Sequence, residues 1–148
     1  MPYHPTTIAN YFISKYVKKT RLTPGKLNAL TYKSHGWYMA LNGNKEGLVN
    51  ESPVPTQWGP LFLSIYSAAL AYPKIEITSK LPSLKPEEEI SISDQQFLDD
   101  IWQTYSKYDA AALTGSIILE MEANNYSVIQ DDDIYAYYKS CLGSGPAA

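Results

Sequence analysis

One helix with clear start and stop signals limits most strongly what this sequence can fold into. Thr23 can cap the free backbone N–H groups of a helix, and Pro24 suits the first helical position, where its missing N–H has no intrahelical partner. Asn42 and Gly43 end the pattern, because glycine adopts the left-handed conformation without strain. The pattern predicts a helix over residues 24–42. The side chains that recur on one face at three- and four-residue steps are Leu27, Leu30, Ser34, Trp37, Tyr38 and Leu41.

The chain after this helix is rich in proline. Pro53 and Pro55 disfavour a regular helix, so we predict an extended segment over residues 53–58. Proline is well suited to a first helical position, so we predict a third helix that begins at Pro60 and runs to about residue 72.

Four further helices are indicated by capping residues and apolar periodicity. Thr6 or Thr7 can cap the first helix, and Ser93 with Gln96 has the spacing of a capping box. Asp109 can cap the fifth helix, and the three carboxylates at 131–133 suit the positive end of a sixth. The predicted spans are residues 6–19, 93–107, 110–123 and 131–142, after an unstructured lead over residues 1–5.

The region between the third and fourth helices is open to two interpretations. Residues 75–78 and 89–93 alternate apolar and polar side chains, so they form either a small β-hairpin or an irregular excursion. The fold class we predict is mainly α: a compact bundle of about six helices with an extended proline-rich segment and the small hairpin as an option. We predict one domain over residues 1–142 and a disordered tail over residues 143–148.

The composition is that of an ordinary globular protein, but its charge is unevenly distributed. Hydrophobic residues make up 45% of the 148 residues, and the net charge is −3. Most basic residues precede position 50, and the rest of the chain is acidic. This division permits a basic patch, but basic residues without an arginine run fit a solvated helix face better. The residues in question are Lys15, Lys18, Lys19, Arg21, Lys26 and Lys33.

The sequence favours a cytoplasmic protein without membrane association. Residues 1–20 lack the apolar core of a secretory signal, and no apolar run approaches the roughly 20 residues that span a bilayer. The single cysteine, Cys141, excludes an intramolecular disulfide. The 13 tyrosines suit half-buried positions in a helical core, and some suit partner surfaces.

No motif commits the chain to catalysis, and we predict a non-enzyme without metal or cofactor. One cysteine and two distant histidines, His4 and His35, cannot build a zinc site within one chain. Neither a phosphate-binding loop nor a dinucleotide fingerprint is present. A small hydrolase would need Cys141 beside His35, the histidine we expect in ordered structure. We keep that as a third hypothesis.

A DNA-binding regulator of its own operon is the second hypothesis. The connection over residues 18–23 is short enough for a helix–turn–helix, whose second helix would present Lys26, Asn28 and Lys33 to the bases. The acidic remainder of the chain opposes binding to a polyanion, so we rank this hypothesis below protein binding.

The stretch from residue 22 to residue 66 resembles the Panacea domain, a family that includes phage-associated proteins and antitoxins of toxin–antitoxin pairs. The resemblance extends from about residue 7 to residue 140. The sequence departs from the family pattern at His35, at residues 61–63 and in the region after residue 113. The matching residues are Leu22, Thr23, Pro24, Lys26, Leu27, Leu30 and Tyr32, then Gly36, Trp37, Tyr38, Ala40, Leu41 and Gly43, then Glu51, Trp58, Gly59, Pro60 and Tyr66.

The resemblance implies a helical antitoxin-like domain that neutralises a cognate protein toxin by direct binding. The partner-binding candidates are Lys26, Trp58 and Tyr32. Because a lysine in the first turn opposes the helix dipole, we expect Lys26 to pair with Glu51. The other motif residues fit structural roles: Pro24, Leu27, Gly36, Trp37, Tyr38, Gly43, Gly59 and Pro60.

Overall fold

A mainly α-helical fold is seen in the computed structural model, as predicted. The structure describes residues 2–43, 46–56, 59–70, 76–123 and 130–143. Within these ranges the chain forms six helices and one two-stranded antiparallel sheet. The elements are α1 (Pro5–Tyr16), α2 (Pro24–Asn42), β1 (Val54–Thr56), β2 (Gly59–Leu61), α3 (Leu63–Ala69), α4 (Ile92–Tyr105), α5 (Ala110–Ala123) and α6 (Asp131–Gly143).

Helix α2 lies at the centre and packs against each of the other five helices that the structure describes. Its predicted ends are confirmed: Thr23 Oγ1 accepts a hydrogen bond from Lys26 N at 3.2 Å, and Gly43 adopts φ 67°. The predicted single apolar face is wrong, because every residue from 26 to 36 is buried. Leu41, predicted on that face, is 59% exposed. A helix surrounded by other helices buries all its sides, polar ones included.

The N-terminal residues are part of the fold and do not form an unstructured lead. Tyr3 pairs with Val49, and its hydroxyl donates to Asp94 Oδ2 at 2.7 Å. His4, expected in the mobile lead, caps α1, since its Nδ1 accepts from Thr6 N at 3.3 Å. The cap therefore precedes the predicted Thr6 or Thr7, and α1 ends at Tyr16.

The hairpin lies in the proline-rich segment, where an extended stretch and a helix start were predicted. Val54 pairs with Leu61, and Pro55 pairs with Pro60. Proline lacks a backbone donor, but a two-stranded sheet has only edge strands, which tolerate it. Pro60 therefore ends up in β2, and α3 begins three residues later than predicted, at Leu63. Gly59 adopts φ 101°, which favours glycine.

Over the described residues between α3 and α4, which begin at residue 76, the irregular alternative is correct. Ile77 pairs with Leu22, and residues 89–91 form no strand. The capping box was misplaced by two residues, because Ser91 Oγ accepts from Asp94 N at 3.2 Å and α4 starts at Ile92.

The last two helices agree with prediction. Asp109 Oδ1 accepts from Ala112 N at 2.8 Å ahead of α5, and the first turn of α6 carries the three aspartates. The predicted break at residues 124–125, the extended piece at 127–129 and most of the predicted tail lie outside the described residues, as does Trp58. No described helix is long and apolar enough to cross a membrane.

Helices α1 and α4 are joined by a cluster around Asp99. Its carboxylate accepts from Lys15 Nζ at 2.6 Å and from the hydroxyls of Tyr11 and Tyr16, each at 2.7 Å. The Tyr16 ring stacks on Trp102 at 4.1 Å between centroids. Burial alone would raise the pKa of Asp99, but these hydrogen bonds outweigh it and hold the pKa below its usual value.

We expect Asp99→Asn to lower the free energy of unfolding at pH 7 by about 1–3 kcal/mol, because an amide cannot accept three donors. A carboxyl with a lowered folded-state pKa stabilises the fold above its unfolded pKa, and this stability is lost as the pH falls through the folded pKa. The difference between wild type and variant should therefore shrink below about pH 4. Urea unfolding of both proteins at pH 7 and at acid pH measures this difference in stability.

The control is Asp100→Asn, at the exposed neighbouring position. Its effect should stay within about 0.5 kcal/mol at either pH. Equal effects of the two substitutions would contradict the role given to Asp99.

Candidate functional site

Two of the three predicted partner-binding residues lie inside the described chain. Lys26 is 6% exposed and Tyr32 is 1% exposed. Lys26 Nζ donates to the Ser106 carbonyl at 2.7 Å, and burial lowers the pKa of this lysine. The expected pair with Glu51 is wrong, since Glu51 accepts from Ser64 N instead. Neither side chain offers a surface to a partner.

The burial of α2 also excludes it as the recognition helix of a helix–turn–helix. Lys26, Asn28 and Lys33 were the side chains expected to read bases, and all three are buried. Asn28 instead accepts from Phe62 N at 2.8 Å. A recognition helix must present its side chains to the major groove. That part of the DNA-binding hypothesis is therefore wrong.

Lys33 forms the centre of a buried polar cluster, although the sequence placed it on a solvated face. Its Nζ donates to Glu120 Oε1 at 3.1 Å and to Ser116 Oγ at 3.2 Å. The Tyr138 hydroxyl donates to the second carboxylate oxygen of Glu120 at 3.2 Å. The side chains of Lys33 and Glu120 are only 6% and 7% exposed. Ion pairs this deeply buried need such additional hydrogen bonds.

This cluster faces a cavity of about 360 Å³, which we call the lysine pocket. Tyr108, Ala112 and Ser116 are exposed and form its rim. Lys33, Tyr105, Glu120 and Tyr138 are buried and form its floor. Helices α2, α4, α5 and α6 all contribute side chains. The lining residues are Lys33, Trp37, Tyr105, Tyr108, Ala112, Leu113, Ser116, Glu120, Tyr137, Tyr138 and Cys141.

Motif residues from α2 build one side of the lysine pocket. Trp37 Nε1 donates to the Tyr105 hydroxyl at 2.8 Å. Gly36 lies against the Tyr138 ring, so closely that a Cβ there would be 2.4 Å from two ring carbons. The Lys33 ammonium lies 5.4 Å from the centre of the Tyr105 ring and 5.8 Å from that of Tyr138. Both distances are within the range of cation–π attraction.

Burial changes the pKa values of the groups that line the lysine pocket. Burial raises the pKa of Glu120 above its usual value, although Lys33 opposes the shift. Burial also raises the pKa of Tyr105, and it raises the pKa of Tyr138 well above the ordinary value. Clefts that combine buried charge with shifted titration are frequent functional sites. A wider cleft of about 800 Å³ lies between α1 and residues 80–92, but the charged side chains on it are exposed or half-exposed.

Sequence reasoning missed both members of the ion pair, although each follows the apolar period of its own helix. Lys33 stands three residues after Leu30 and four before Trp37. Glu120 stands three residues after Ile117. A charge at such a position indicates that the side chain is buried with a polar or charged partner, but it does not identify that partner.

The two residues of the hydrolase hypothesis are not brought together. His35 is fully buried; its Nδ1 accepts from Val49 N at 3.3 Å, and its Nε2 lies 2.9 Å from Asp131 Oδ1. Because Nδ1 accepts, Nε2 carries the proton and donates it to the carboxylate. Cys141 lines the lysine pocket, and His35 does not. Among the described residues, no three His, Cys, Asp or Glu side chains come together as a metal site requires.

Helix α3 carries an apolar surface outside the lysine pocket. Leu63, Tyr66 and Leu70 are 50%, 47% and 68% exposed, whereas Ile65 and Ala69 point into the core. The exposed three follow each other at steps of three and four residues, so they share one side of the helix. We call them the α3 apolar face.

Comparison with protein-family models, with curated proteins and with solved structures gave no match. The family resemblance of residues 22–66 therefore stays a prediction from the sequence.

Removing either member of the ion pair should destabilise the protein strongly. Lys33→Met and Glu120→Gln should each lower the free energy of unfolding by about 3–5 kcal/mol, because each leaves a buried charge without its counter-charge. The double variant should lose less than the sum of the two, with a coupling energy of at least about 1 kcal/mol. Urea unfolding of the four proteins gives this cycle. The control is the same cycle at two exposed positions, Lys139→Met and Glu122→Gln, whose stability losses should be additive. Additive losses at Lys33 and Glu120 would contradict the ion pair.

Two glycine-to-alanine substitutions should have opposite effects. Gly36→Ala forces a Cβ against the buried Tyr138 ring and should cost about 1–3 kcal/mol of stability. Gly115 in α5 has no atom within 4 Å of its added Cβ. Gly115→Ala should therefore gain about 0.5–1 kcal/mol from helix propensity alone. Thermal unfolding of both variants measures the contrast, and a stabilised Gly36→Ala variant would refute the close approach of Tyr138.

Proposed function

We propose that the protein is an antitoxin-like binding module that neutralises a cognate protein toxin by direct contact. The observation that carries the proposal is the α3 apolar face. The sequence resemblance to the Panacea domain supports the choice of a toxin as the partner.

The α3 apolar face has the form of a binding helix. Single exposed leucines are ordinary on a protein surface, but adjacent large apolar side chains on one helix face mark an interaction site. Amphipathic helices commonly dock such residues into an apolar groove of the partner. If a partner covered the exposed half of Leu63, Tyr66 and Leu70, each side chain would contribute about 1 kcal/mol to the free energy of binding. Aromatic residues such as Tyr66 are frequent binding hot spots.

The charge distribution favours a basic partner surface. Lys26 and Lys33 are buried, whereas of the acidic residues only Glu120 is found buried among the described ones. The surface is therefore more acidic than the composition suggests. Complementary charge speeds association and excludes wrong partners. An acidic surface also disfavours nucleic acid as the target, which supports a protein partner.

The proposal is tested with the product of the neighbouring open reading frame. Its expression should stop growth, and co-expression of this protein should restore growth through a complex that co-purifies. The double variant Leu63→Ser/Leu70→Ser should bind at least about tenfold more weakly and fail to restore growth, because it removes apolar contact area. Both leucines are exposed, so the variant should keep the circular dichroism spectrum and melting temperature of the wild type.

The matched control is Leu119→Ser, which removes a leucine that is 66% exposed on α5. It should bind and restore growth as the wild type does. If the neighbouring product is harmless, or if the wild-type protein neither binds it nor restores growth, the antitoxin proposal fails. If the α3 double variant binds as the wild type does, the contact surface lies elsewhere. Trp58, the third partner-binding candidate from the sequence, is then the next residue to substitute.

A further inference from the structure

The lysine pocket has hydrogen-bond donors that the protein itself does not use. A lysine ammonium has three N–H donors, and two of those on Lys33 reach Glu120 and Ser116. Among the described residues, Lys33 Nζ has no third oxygen or nitrogen acceptor, and it lies 5.4 Å and 5.8 Å from the centres of the Tyr105 and Tyr138 rings. Lys33 is 4% exposed, so water reaches this donor only through the cavity.

The Tyr105 hydroxyl is a second donor of this kind. Its oxygen accepts from Trp37 Nε1, and its own proton has no acceptor among the described residues. Tyr105 is 8% exposed and lines the same cavity. Both oxygens of Glu120, by contrast, already accept hydrogen bonds, from Lys33 and from Tyr138. The floor of the lysine pocket therefore offers donors to an acceptor brought from outside.

The walls of the lysine pocket suit a flat ring. Trp37, Tyr108 and Tyr137 add aromatic surface above the floor, and aromatic pairs gain energy from offset or edge-to-face contacts. A cavity of about 150 Å³ in another protein holds benzene, so the 360 Å³ found here has room for one or two fused rings.

The charge balance indicates an uncharged ligand. Lys33 and Glu120 already neutralise each other at 3.1 Å. A ligand carboxylate would bring a third charge into a buried site without a counter-charge of its own, and such a charge is costly. A carbonyl oxygen accepts from Lys33 and Tyr105 without this cost.

We propose that the lysine pocket binds a small planar aromatic molecule that bears an uncharged carbonyl oxygen. The oxygen accepts from the Lys33 ammonium and the Tyr105 hydroxyl, and the ring packs between the aromatic walls. This site does not include the α3 apolar face. The inference therefore stands or falls independently of toxin binding.

Three related compounds test the proposal. Oxindole carries the carbonyl, indole lacks it, and indole-2-carboxylate replaces it with a charge. Titration calorimetry should give a Kd for oxindole on the order of 1 mM, as expected for a ligand of this size. Indole should bind about three- to tenfold more weakly, since it leaves both donors unpaired. Indole-2-carboxylate should bind more weakly than oxindole.

Cys141 supplies an independent readout, because it lines the lysine pocket and is the only cysteine in the sequence. Bound oxindole should slow the alkylation of Cys141 by iodoacetamide, measured by mass spectrometry of the intact protein. The concentration that halves the rate should agree with the calorimetric Kd. Alkylation at an unchanged rate under saturating oxindole would place the ligand outside the lysine pocket and overturn the proposal.

The decisive variant is Tyr105→Phe, which keeps the ring and removes the hydroxyl. It should weaken oxindole binding about three- to tenfold and leave indole binding unchanged. The ratio of the oxindole affinity to the indole affinity should therefore fall towards one. Tyr135→Phe on α6 removes a hydroxyl outside the lysine pocket and should change neither affinity. The proposal is overturned if oxindole does not bind, if the carboxylate binds more tightly than oxindole, or if Tyr105→Phe leaves the carbonyl preference intact.

Discussion

The buried ion pair between Lys33 and Glu120 is the interaction on which the arrangement of the other helices depends. Two charges removed from water are tolerated only when their geometry is close and their remaining donors and acceptors are satisfied. Glu120 meets this condition through Tyr138, and Lys33 meets it in part through Ser116. Each partner comes from a different helix, so α2, α5 and α6 must hold a fixed relative position. Non-directional apolar packing alone would not impose that position.

The structure gives the family-like motif a physical role. Gly36 provides space for the Tyr138 ring, and Trp37 holds the hydroxyl of Tyr105. Both motif residues thereby shape the lysine pocket, while the α3 apolar face lies on a different element. Of the motif residues, Trp37 lines the lysine pocket directly, and Gly36 shapes it by making room for the Tyr138 ring.

The accuracy of prediction from sequence differed between local and long-range features. Helices α2, α5 and α6 were correctly placed, because Thr23, Gly43, Asp109 and the three aspartates at 131–133 act on neighbouring residues. The hairpin was missed, because prolines in a two-stranded sheet give no strand signal. The pairing of Lys33 with Glu120 was missed as well, since it joins positions 87 residues apart and no local rule connects them.

The groups that bury the polar residues of α2 come late in the chain. Lys33 and His35 find Glu120 and Asp131 at separations of 87 and 96 residues, and Tyr138 is later still. On the ribosome, α2 therefore emerges with two charged or polar side chains whose partners have not yet been synthesised. Contacts of such long range close late during folding. We expect the growing chain to remain sensitive to proteases and dependent on chaperones until α6 has left the exit tunnel.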